Sequence, residues 1–371
     1  MALRVIIAGG GTAGHVYPGL ALARVLQDQG HSVAFAGAEG RLEASLAPAA
    51  GVEFHAIRAR PLPRKLSPSL LGAPLAALGA VKKCRPLVKG ADVVVGMGGY
   101  VSVPTILAAR RERVPIVLHE QNAVPGLANR VLSRLSAAVA LSFASAGPAF
   151  PRRSRLVVTG NPVREEILRV HADRDTVAKE GMEELDLRPD RRTVVVFGGS
   201  QGALHIDRAA VGACFLLRER ADLQVVLITG PAHLSAVRRA LPAEPSALVV
   251  RLLGYLERME LAYACADLVV SRAGATTVAE ITVCGLPALL VPYPYATGRH
   301  QEANARALQR AGGASVMPDE QVSAESLAER IVSLVDHEER LGSMAERSLA
   351  FGRPDAAGEL AALVCKVAEK P

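Results

Sequence analysis

The sequence has few aromatic residues. Phenylalanine, tyrosine and tryptophan together make up 4% of its 371 residues, and tryptophan is absent. Its cores must therefore be built from alanine, valine, leucine and isoleucine, which suit parallel sheets covered by helices.

Cysteine is also scarce. The five cysteines are odd in number, widely spaced and form no C-x-x-C pair. We therefore expect reduced and mostly buried thiols, as in a cytosolic protein. The opening stretch "MALRVIIAGGG" contains only a four-residue apolar run before its glycines, so neither a signal peptide nor a spanning helix is expected to start there.

Length and charge set broad limits. A chain of 371 residues that is 50% hydrophobic is long enough for about two domains of ~150 to 200 residues. Lysine and arginine number 43 against 36 acidic residues, a formal net charge of +7. This balance favours anionic partners such as nucleic acid, nucleotide phosphates or an acidic membrane surface.

Apolar runs that end in glycine or polar residues alternate with stretches of helix length. Examples are "RVIIAGG", "SVAFAG" and "DVVVGMGG", followed later by "TVVVFGG", "LQVVLITG" and "DLVVSRAGA". This alternation predicts βαβ units and a parallel sheet. The second half also repeats the first in order: "VIIAGGGTAGH" corresponds to "VVVFGGSQGA", "ADVVVGMGGY" to "ADLVVSRAGA" and "VPIVLHEQN" to "LPALLVPYP".

The repeats predict two doubly wound α/β domains whose loops, at the carboxyl ends of the strands, face each other across a cleft. The first is expected over 1–161 and the second over 162–350, because Asn161-Pro162 marks a turn at the join. A helical segment over 351–371 is expected to pack back toward the first domain.

The loop "GGGTAGH", residues 9–15, allows three interpretations. As G-x-G-x-x-G it matches a dinucleotide fingerprint, but the acidic residue expected about 20 positions later is missing. As a P-loop it fails because His15-Val16 stands in place of Lys-Ser/Thr. It could also be a tight turn without a ligand, although a second copy, "FGGSQGA", favours phosphate binding.

A set of ordered motifs resembles the MurG family of glycosyltransferases, which convert lipid I to lipid II in bacterial cell-wall synthesis. The motifs run over nearly the whole chain: "AGGGTAGHVYPGLALA", "GMGGYVSVP", "LHEQNAVPG", "GNPVR", "GGSQGA", "RAGATTVAEI" and "GLPALLVPYP" with "HQEANA". The resemblance implies a GT-B fold of two Rossmann-like domains. It implies UDP-N-acetylglucosamine as the donor, bound mainly by the C-terminal domain, and a lipid-linked acceptor, bound by the N-terminal one.

The resemblance places a donor site in the second domain, where small residues would let a helix N-terminus approach a diphosphate. Glu280 would accept both ribose hydroxyls, Arg164 would reach the diphosphate from the domain join, and Gln301 would contact sugar hydroxyls. The other implied donor-site residues are Ser200, Leu256, Ala275, Thr276, Thr277, Val278 and Ala279.

From the first domain the resemblance implies substrate contacts at Thr12, Ala13, Gly14 and Asn122, and acceptor contacts at Tyr100 and His119. A catalytic base must remove the acceptor proton. His15, with a suitable ordinary pKa, and Glu120, at the end of a predicted strand, are both candidates. For His119, orientation or packing is the alternative role.

Two positions depart from the pattern of the family. Ala13 stands where the family has a glycine, and it would cost on the order of 1 kcal/mol if the backbone there needs a positive φ. His300 stands where the family often has a second glutamine before Gln301, which puts that sugar contact in question.

The departing diphosphate would be stabilised by helix dipoles and Arg164, so neither a metal nor a cofactor is expected. A D-x-D sequence at Asp173 to Asp175 is typical of metal-diphosphate sites. It lies in a charged, helix-like stretch rather than at a strand end, so we do not expect it to bind a metal.

A lipid acceptor requires contact with a membrane. No acidic residue occurs from Phe54 to Gly90, and within that stretch 16 uncharged residues, "LSPSLLGAPLAALGAV", are too short and too interrupted by proline to span a bilayer. We expect peripheral docking on the anionic cytoplasmic face of the inner membrane. An ordinary amphipathic helix with a basic rim is the alternative, and nucleic acid is disfavoured because stacking aromatics are missing. The basic residues are Arg58, Arg60, Arg64, Lys65, Lys82, Lys83, Arg85 and Lys89.

Three other functions remain as alternatives. The G-x-G-x-x-G match allows an NAD(P)-dependent oxidoreductase, and the two-domain pattern allows a UDP-sugar epimerase, which would not need the basic apolar segment. A noncatalytic membrane scaffold is disfavoured by the two sets of ligand-binding loops.

Overall fold

The computed structural model describes residues 1–57, 69–199, 202–241 and 246–369, with the backbone alone for 69–77. The chain divides into two compact units. The first consists of Met1–Arg164 together with Asp355–Pro371, and the second of Glu165–Pro354.

Within the described residues, the first unit contains a seven-stranded parallel sheet in the order β3-β2-β1-β4-β5-β6-β7. Its central strands are rich in valine, isoleucine and alanine because helices cover both faces. The strands are β1 (Arg4–Ala8), β2 (Ser32–Ala38), β3 (Glu53–Ile57), β4 (Val93–Gly96), β5 (Ile116–Glu120), β6 (Ala138–Leu141) and β7 (Leu156–Val158). The helices are α1 (Ala13–Asp28), α2 (Leu42–Ala49), α3 (Ser69–Val88), α4 (Ser102–Arg111) and α5 (Leu127–Leu132).

The described part of the second unit contains a six-stranded parallel sheet in the order β10-β9-β8-β11-β12-β13. The strands are β8 (Arg192–Phe197), β9 (Leu223–Ile228), β10 (Val249–Leu253), β11 (Leu268–Ser271), β12 (Ala288–Leu290) and β13 (Ala314–Val316). The helices are α6 (Glu165–Ala172), α7 (Arg174–Glu184), α8 (Leu204–Leu216), α9 (Leu234–Ala240), α10 (Met259–Cys265), α11 (Ala275–Val283), α12 (His300–Ala311), α13 (Ala324–Val335) and α14 (Glu338–Phe351).

The predicted duplication is confirmed by strand order. The segment β2-β1-β4-β5 of the first sheet has the same topology as β9-β8-β11-β12 of the second. Parallel pairing aligns Ala8 with Gly96 and Phe197 with Ser271, so in each sheet two repeated loops leave neighbouring strand ends. These are the two Rossmann-like domains of the GT-B fold, and their loops lie where doubly wound sheets bind ligands.

The final helix, α15 (Ala356–Ala368), belongs to the first unit. It contacts α1, β4 and β5, and Leu360 and Val364 lie in the same buried cluster as Leu22 and Leu26 of α1. The end of the chain therefore covers one face of the first sheet.

Helix α3 covers the opposite face. Val81, Cys84 and Val88 are buried in the core on that side, whereas Lys82 and Lys83 are exposed. No helix in the described residues has the length and apolar composition needed to cross a membrane. Four of the basic residues grouped with this segment, Arg58, Arg60, Arg64 and Lys65, lie outside the described residues.

All five cysteines are free thiols. Four are buried, and Cys365 is half-buried. This confirms the expectation of unpaired, mostly buried cysteines.

Candidate active site

The first glycine-rich loop leads from β1 into α1. Gly10 and Gly11 have φ angles of 150° and 84°, which glycine adopts without strain. Ala13 is already the first residue of α1, so its backbone is helical. The strain considered for alanine at this position therefore does not arise, because the positive φ angles fall earlier in the loop.

A buried carboxylate closes this loop. Glu43, in the first turn of α2, is fully buried, and its Oε1 accepts hydrogen bonds from the N–H groups of Gly11 (3.1 Å) and Ala38 (2.9 Å). A Cβ at Gly10 would lie 2.0 Å from Glu43 Oε1, and one at Gly37 would lie 2.4 Å from its Cγ. Glu43 therefore takes an N–H group that a dinucleotide-binding loop would offer to phosphate, which argues against the oxidoreductase hypothesis.

His15 lies in the first turn of α1, against the loop that follows β4. A Cβ at Gly98 would be 3.3 Å from Cε1 of His15, and one at Gly99 would be 3.3 Å from its Cδ2. The next residue, Tyr100, reaches back to the first loop, where its ring would be 3.4 Å from a Cβ at Gly11. The structure thus brings together His15 and Tyr100, which the sequence analysis assigned to the site.

His119, on β5, is completely buried. Its Nε2–H donates to the Gly160 carbonyl (3.0 Å), and its Nδ1 accepts from the side-chain amide of Gln121 (3.2 Å). Burial lowers the pKa of His119 to about 4, although the hydrogen bond to Gly160 acts in the opposite direction. A neutral, unexposed imidazole with both nitrogens bonded does not fit the predicted direct contact with the acceptor. It fits the alternative, an orienting residue.

Glu120, at the end of β5, is also buried. Its Oε1 accepts from the backbone N–H (3.0 Å) and side-chain amide (3.5 Å) of Asn122, and its Oε2 accepts from the Gly126 N–H (3.1 Å) and the Asn129 amide (2.9 Å). Burial raises the pKa of Glu120, and these donors partly offset the increase. The carboxylate therefore holds the loop between β5 and α5 in place.

Arg164 is the last residue of the main segment of the first unit. Its guanidinium lies over the ring of Tyr17 in α1, 4.9 Å from the ring centre. Such a cation–π contact helps to orient the arginine side chain.

In the second unit, α11 begins directly after β11 with Gly274 at its N-cap, which has no side chain to cap the helix. Ala275, Thr276 and Thr277 form the first turn, whose N–H groups have no acceptor within the helix. Together with the positive end of the helix dipole, they provide a place for an anion. Val278 is buried and Ala279 half-buried in the following turn.

Glu280, on the same helix, is 6% exposed and accepts a hydrogen bond from the hydroxyl of Tyr263 (3.1 Å). Tyr263 is 1% exposed, lies on α10 and packs edge-on against Phe197 at the end of β8, with 6.0 Å between ring centres. Tyr263 was not among the residues predicted from the sequence, because nothing in the local pattern of α10 links it to Glu280.

Gln301, in the first turn of α12, is tied to two loops. Its Oε1 accepts from the N–H groups of Ala273 (3.3 Å) and Tyr293 (2.9 Å). The amide nitrogen is therefore the end of Gln301 that can donate to a sugar hydroxyl. His300, one residue earlier, donates from Nδ1 to the Thr297 carbonyl (2.7 Å).

The remaining predicted positions are placed as follows. Leu256 is half-buried between β10 and α10. Ser200 lies outside the described residues. Asp173 caps α7 by accepting from the Thr176 N–H (3.1 Å), so the D-x-D sequence begins a helix.

Both units match models of one glycosyltransferase family. The Glycosyltransferase family 28 N-terminal domain matches residues 5–141, and the Glycosyltransferase family 28 C-terminal domain matches residues 193–360. The two matches cover strands β1 to β6 of the first sheet, the second sheet and the glycine-rich loops described above. The fold and the matched domains together define a sugar transferase.

Relatives specify the group within that class. UDP-N-acetylglucosamine--N-acetylmuramyl-(pentapeptide) pyrophosphoryl-undecaprenol N-acetylglucosamine transferases from Halothermothrix orenii and Acidothermus cellulolyticus are 40% and 42% identical to the chain. Coverage is 98% of both chains for the first, and 98% of this chain and 97% of the relative for the second. The crystal structure of Acinetobacter baumannii MurG superposes with a TM-score of 0.78 at 30% identity, over 98% of this chain and 99% of that one. The chain belongs to glycosyltransferase family 28 and, within it, to the MurG family. The chain is therefore a glycosyltransferase, and the oxidoreductase, epimerase and scaffold hypotheses are not favoured.

Proposed function

We propose that this chain transfers N-acetylglucosamine from UDP-N-acetylglucosamine to the muramyl sugar of lipid I, forming lipid II with inversion at the anomeric carbon. The observation that carries the proposal is 40% identity over 370 residues to a transferase whose name specifies this donor and a pyrophosphoryl-undecaprenol acceptor. Because that similarity spans both units, it covers the residues for donor and acceptor alike.

The second unit would bind the nucleotide. The first turn of α11 offers N–H groups and a helix dipole to the diphosphate, and Arg164, from the join between the units, would add a fixed positive charge. Glu280 follows in the second turn, where its carboxylate, steadied by Tyr263, would accept the two ribose hydroxyls. The Gln301 amide nitrogen would donate to a hydroxyl of the sugar.

In the transfer, the acceptor hydroxyl oxygen bonds to the anomeric carbon while the bond from that carbon to the diphosphate breaks. The leaving group is UDP, whose added negative charge the helix N-terminus would stabilise. The hydroxyl proton must pass to a base. His15 fits this role better than Glu120, because the Glu120 carboxylate already accepts from Asn122, Gly126 and Asn129.

A transfer assay would test the proposal. The unaltered chain, UDP-N-acetylglucosamine labelled in the sugar and a lipid I analogue should give a labelled lipid II analogue with inverted linkage. Release of free N-acetylglucosamine without a lipid product, or the absence of any turnover, would contradict it.

We also propose that the first unit docks on an anionic membrane at the cytoplasmic face. In α5 and the turn that follows it, Leu127 and Val131 are 73% and 51% exposed, and Arg130 and Arg134 are exposed on the same helical stripe. Leu78 on α3 is 50% exposed, and α4 contacts both α3 and α5. Exposed apolar side chains interspersed with basic ones are typical of interfacial binding.

Lys82 and Lys83 test the docking surface. Each basic residue near an anionic surface contributes about 1 kcal/mol, so Lys82→Glu with Lys83→Glu should reduce co-sedimentation with anionic vesicles by more than about tenfold. Arg85 is left unchanged because it pairs with Glu112 (2.5 Å). The matched control is Arg238→Glu with Arg239→Glu, an adjacent exposed basic pair on α9 of the other unit. An equal loss of vesicle binding in both variants would mean that net charge alone drives binding, and it would contradict a specific docking surface on the first unit.

A further inference from the structure

A buried aspartate and a histidine form a pair in the second unit. His233, between β9 and α9, donates from Nδ1 to Oδ2 of Asp207 (2.8 Å). The Asp207 side chain has no solvent exposure, whereas that of His233 is 23% exposed. Because Nδ1 is committed to the carboxylate, Nε2 is the nitrogen through which His233 can reach a ligand.

The pair lies at the end of the second glycine-rich loop. A Cβ at Gly202 would lie 2.3 Å from the Thr229 carbonyl oxygen and 3.2 Å from Nδ1 of His233. Asp207 is in the first turn of α8, directly after that loop. The imidazole therefore packs on the backbone at a helix N-terminus that follows a glycine loop, a combination that suits phosphate.

Asp207 presents a negative charge to the imidazole. Burial raises the pKa of Asp207 to about 6, against the hydrogen bond and charge of His233 and the charge of Arg272. The carboxylate is thus ionised at neutral pH and faces the ring. The other nearby carboxylate, Asp319, pairs with Arg272 and with His205 (3.1 Å). Asp207 is therefore the acidic residue that hydrogen-bonds to the imidazole of His233.

We propose that His233, oriented by Asp207, contacts the nucleotide diphosphate through Nε2 and carries a proton when the nucleotide is bound. The inference rests on the proposed UDP-sugar donor. The helices α8 and α11 follow the neighbouring strands β8 and β11, so their N-termini leave the same edge of the sheet. His233 would add a titratable cation beside α8 to the α11 dipole and the arginine already assigned to the diphosphate. A protonated imidazole at this position would bind the departing UDP more strongly than it binds intact UDP-N-acetylglucosamine, because negative charge develops on the diphosphate during transfer.

Two replacements of the histidine separate support of the loop from contact with the ligand. In His233→Asn the side-chain amide can keep the bond that Nδ1 makes to Asp207 but cannot reach the position of Nε2. In His233→Gln the amide can reach that position. His171→Asn is the matched control, since His171 lies on α6 of the same unit and also donates from Nδ1, to the Val283 carbonyl (3.0 Å).

Calorimetry with UDP-N-acetylglucosamine, whose esterified diphosphate does not titrate near neutrality, would measure affinity and proton uptake in buffers of different ionisation enthalpy. His233→Asn should lose about 10- to 100-fold in affinity, His233→Gln less, and His171→Asn nothing. Proton uptake on binding should occur in the unaltered chain and in His171→Asn and vanish in both His233 variants. Asp207→Asn should bind weakly at about pH 8 and regain affinity at about pH 6, as the imidazole gains its proton from solvent.

Uridine, followed by NMR titration, supplies the second readout. It lacks phosphate, so its affinity should be the same in all variants. Equal losses for uridine and for the sugar nucleotide, equal losses in the Asn and Gln variants, or unchanged proton uptake would overturn the inference. Failure of the unaltered chain to bind the nucleotide would overturn the proposed donor as well. Failure of transfer with binding intact would count against the proposed reaction alone.

Discussion

The loops that follow β1 and β8 occupy equivalent places in the two sheets, yet different side chains lie against them. Beside the first loop lies a buried carboxylate, Glu43, which accepts the N–H of Gly11. Beside the second lies the imidazole of His233, held by Asp207. A glycine loop is therefore not in itself a phosphate site, because a neighbouring carboxylate can accept its N–H groups.

The comparison extends to the carboxylates further along each sheet. Glu120 accepts hydrogen bonds from the loop that follows β5 and from Asn129 of α5, whereas Glu280, on α11, accepts one from Tyr263. In the first unit both carboxylates, Glu43 and Glu120, therefore hold loops, whereas Glu280 is the carboxylate predicted to bind the ribose. Four substitutions, in order of decreasing expected effect, test this contrast.

His15→Ala should have the largest effect. If His15 takes the acceptor proton, turnover should fall ~10²- to 10⁴-fold, while donor affinity stays near normal and the acidic limb of the pH–rate profile disappears. Steady-state rates across pH and donor titrations would check this. Glu120→Gln keeps one oxygen acceptor and places an amide donor opposite the remaining donors, so it should lose stability but much less turnover. Near-normal turnover of His15→Ala at every pH would remove the histidine from the mechanism.

Glu43→Leu should come next. It leaves the N–H groups of Gly11 and Ala38 buried without their acceptor, at a cost of about 2 to 4 kcal/mol in stability. Glu43→Gln retains an oxygen at Oε1 and should cost about 1 kcal/mol or less. Scanning calorimetry of both variants measures the difference. Equal destabilisation would mean that the negative charge, rather than the two hydrogen bonds, holds the first loop.

Glu280→Ala should weaken UDP binding by about 10- to 100-fold, because the ribose hydroxyls lose a buried carboxylate. A nucleotide that lacks those hydroxyls should be almost unaffected. Thr282→Ala is a suitable control on the same helix, since the Thr282 hydroxyl donates to the Val278 carbonyl (2.9 Å) rather than to a ligand. Equal calorimetric losses for the two nucleotides would contradict the ribose assignment.

Tyr263→Phe should have the smallest effect, about a three- to tenfold loss in UDP affinity. The ring and its contact with Phe197 remain, and only the hydroxyl that steadies Glu280 is removed. The loss should again depend on the ribose hydroxyls. A loss of the same size with the deoxynucleotide would indicate altered packing instead.

Much of the fold could be predicted from the sequence because the signal is local and repeated. Runs such as "DVVVGMGG" and "DLVVSRAGA" are short, apolar and bounded by glycine, and they became β4 and β11 in matching positions. The helix N-terminus that the family resemblance implied near Ala275 is the start of α11.

The supporting residues could not be predicted in the same way. Glu43 reaches the first loop from the helix after β2, and His233 reaches the second from the chain after β9. These contacts exist only because parallel pairing places separate strand ends side by side, which no local pattern records. The strain considered at Ala13 is absent for a similar reason. Whether that residue is helical depends on where α1 begins, which the local sequence does not specify.

Helix α15 has a consequence for how the protein is made. The first unit is interrupted in sequence, since Leu360 and Val364 complete a core that also contains Leu22 and Leu26, more than 330 residues earlier. During translation the second unit is entirely synthesised before this cover emerges from the ribosome. Until then, one apolar face of the first sheet is incompletely covered in the nascent chain. Transiently exposed apolar surface makes folding intermediates prone to aggregation, which chaperones counteract.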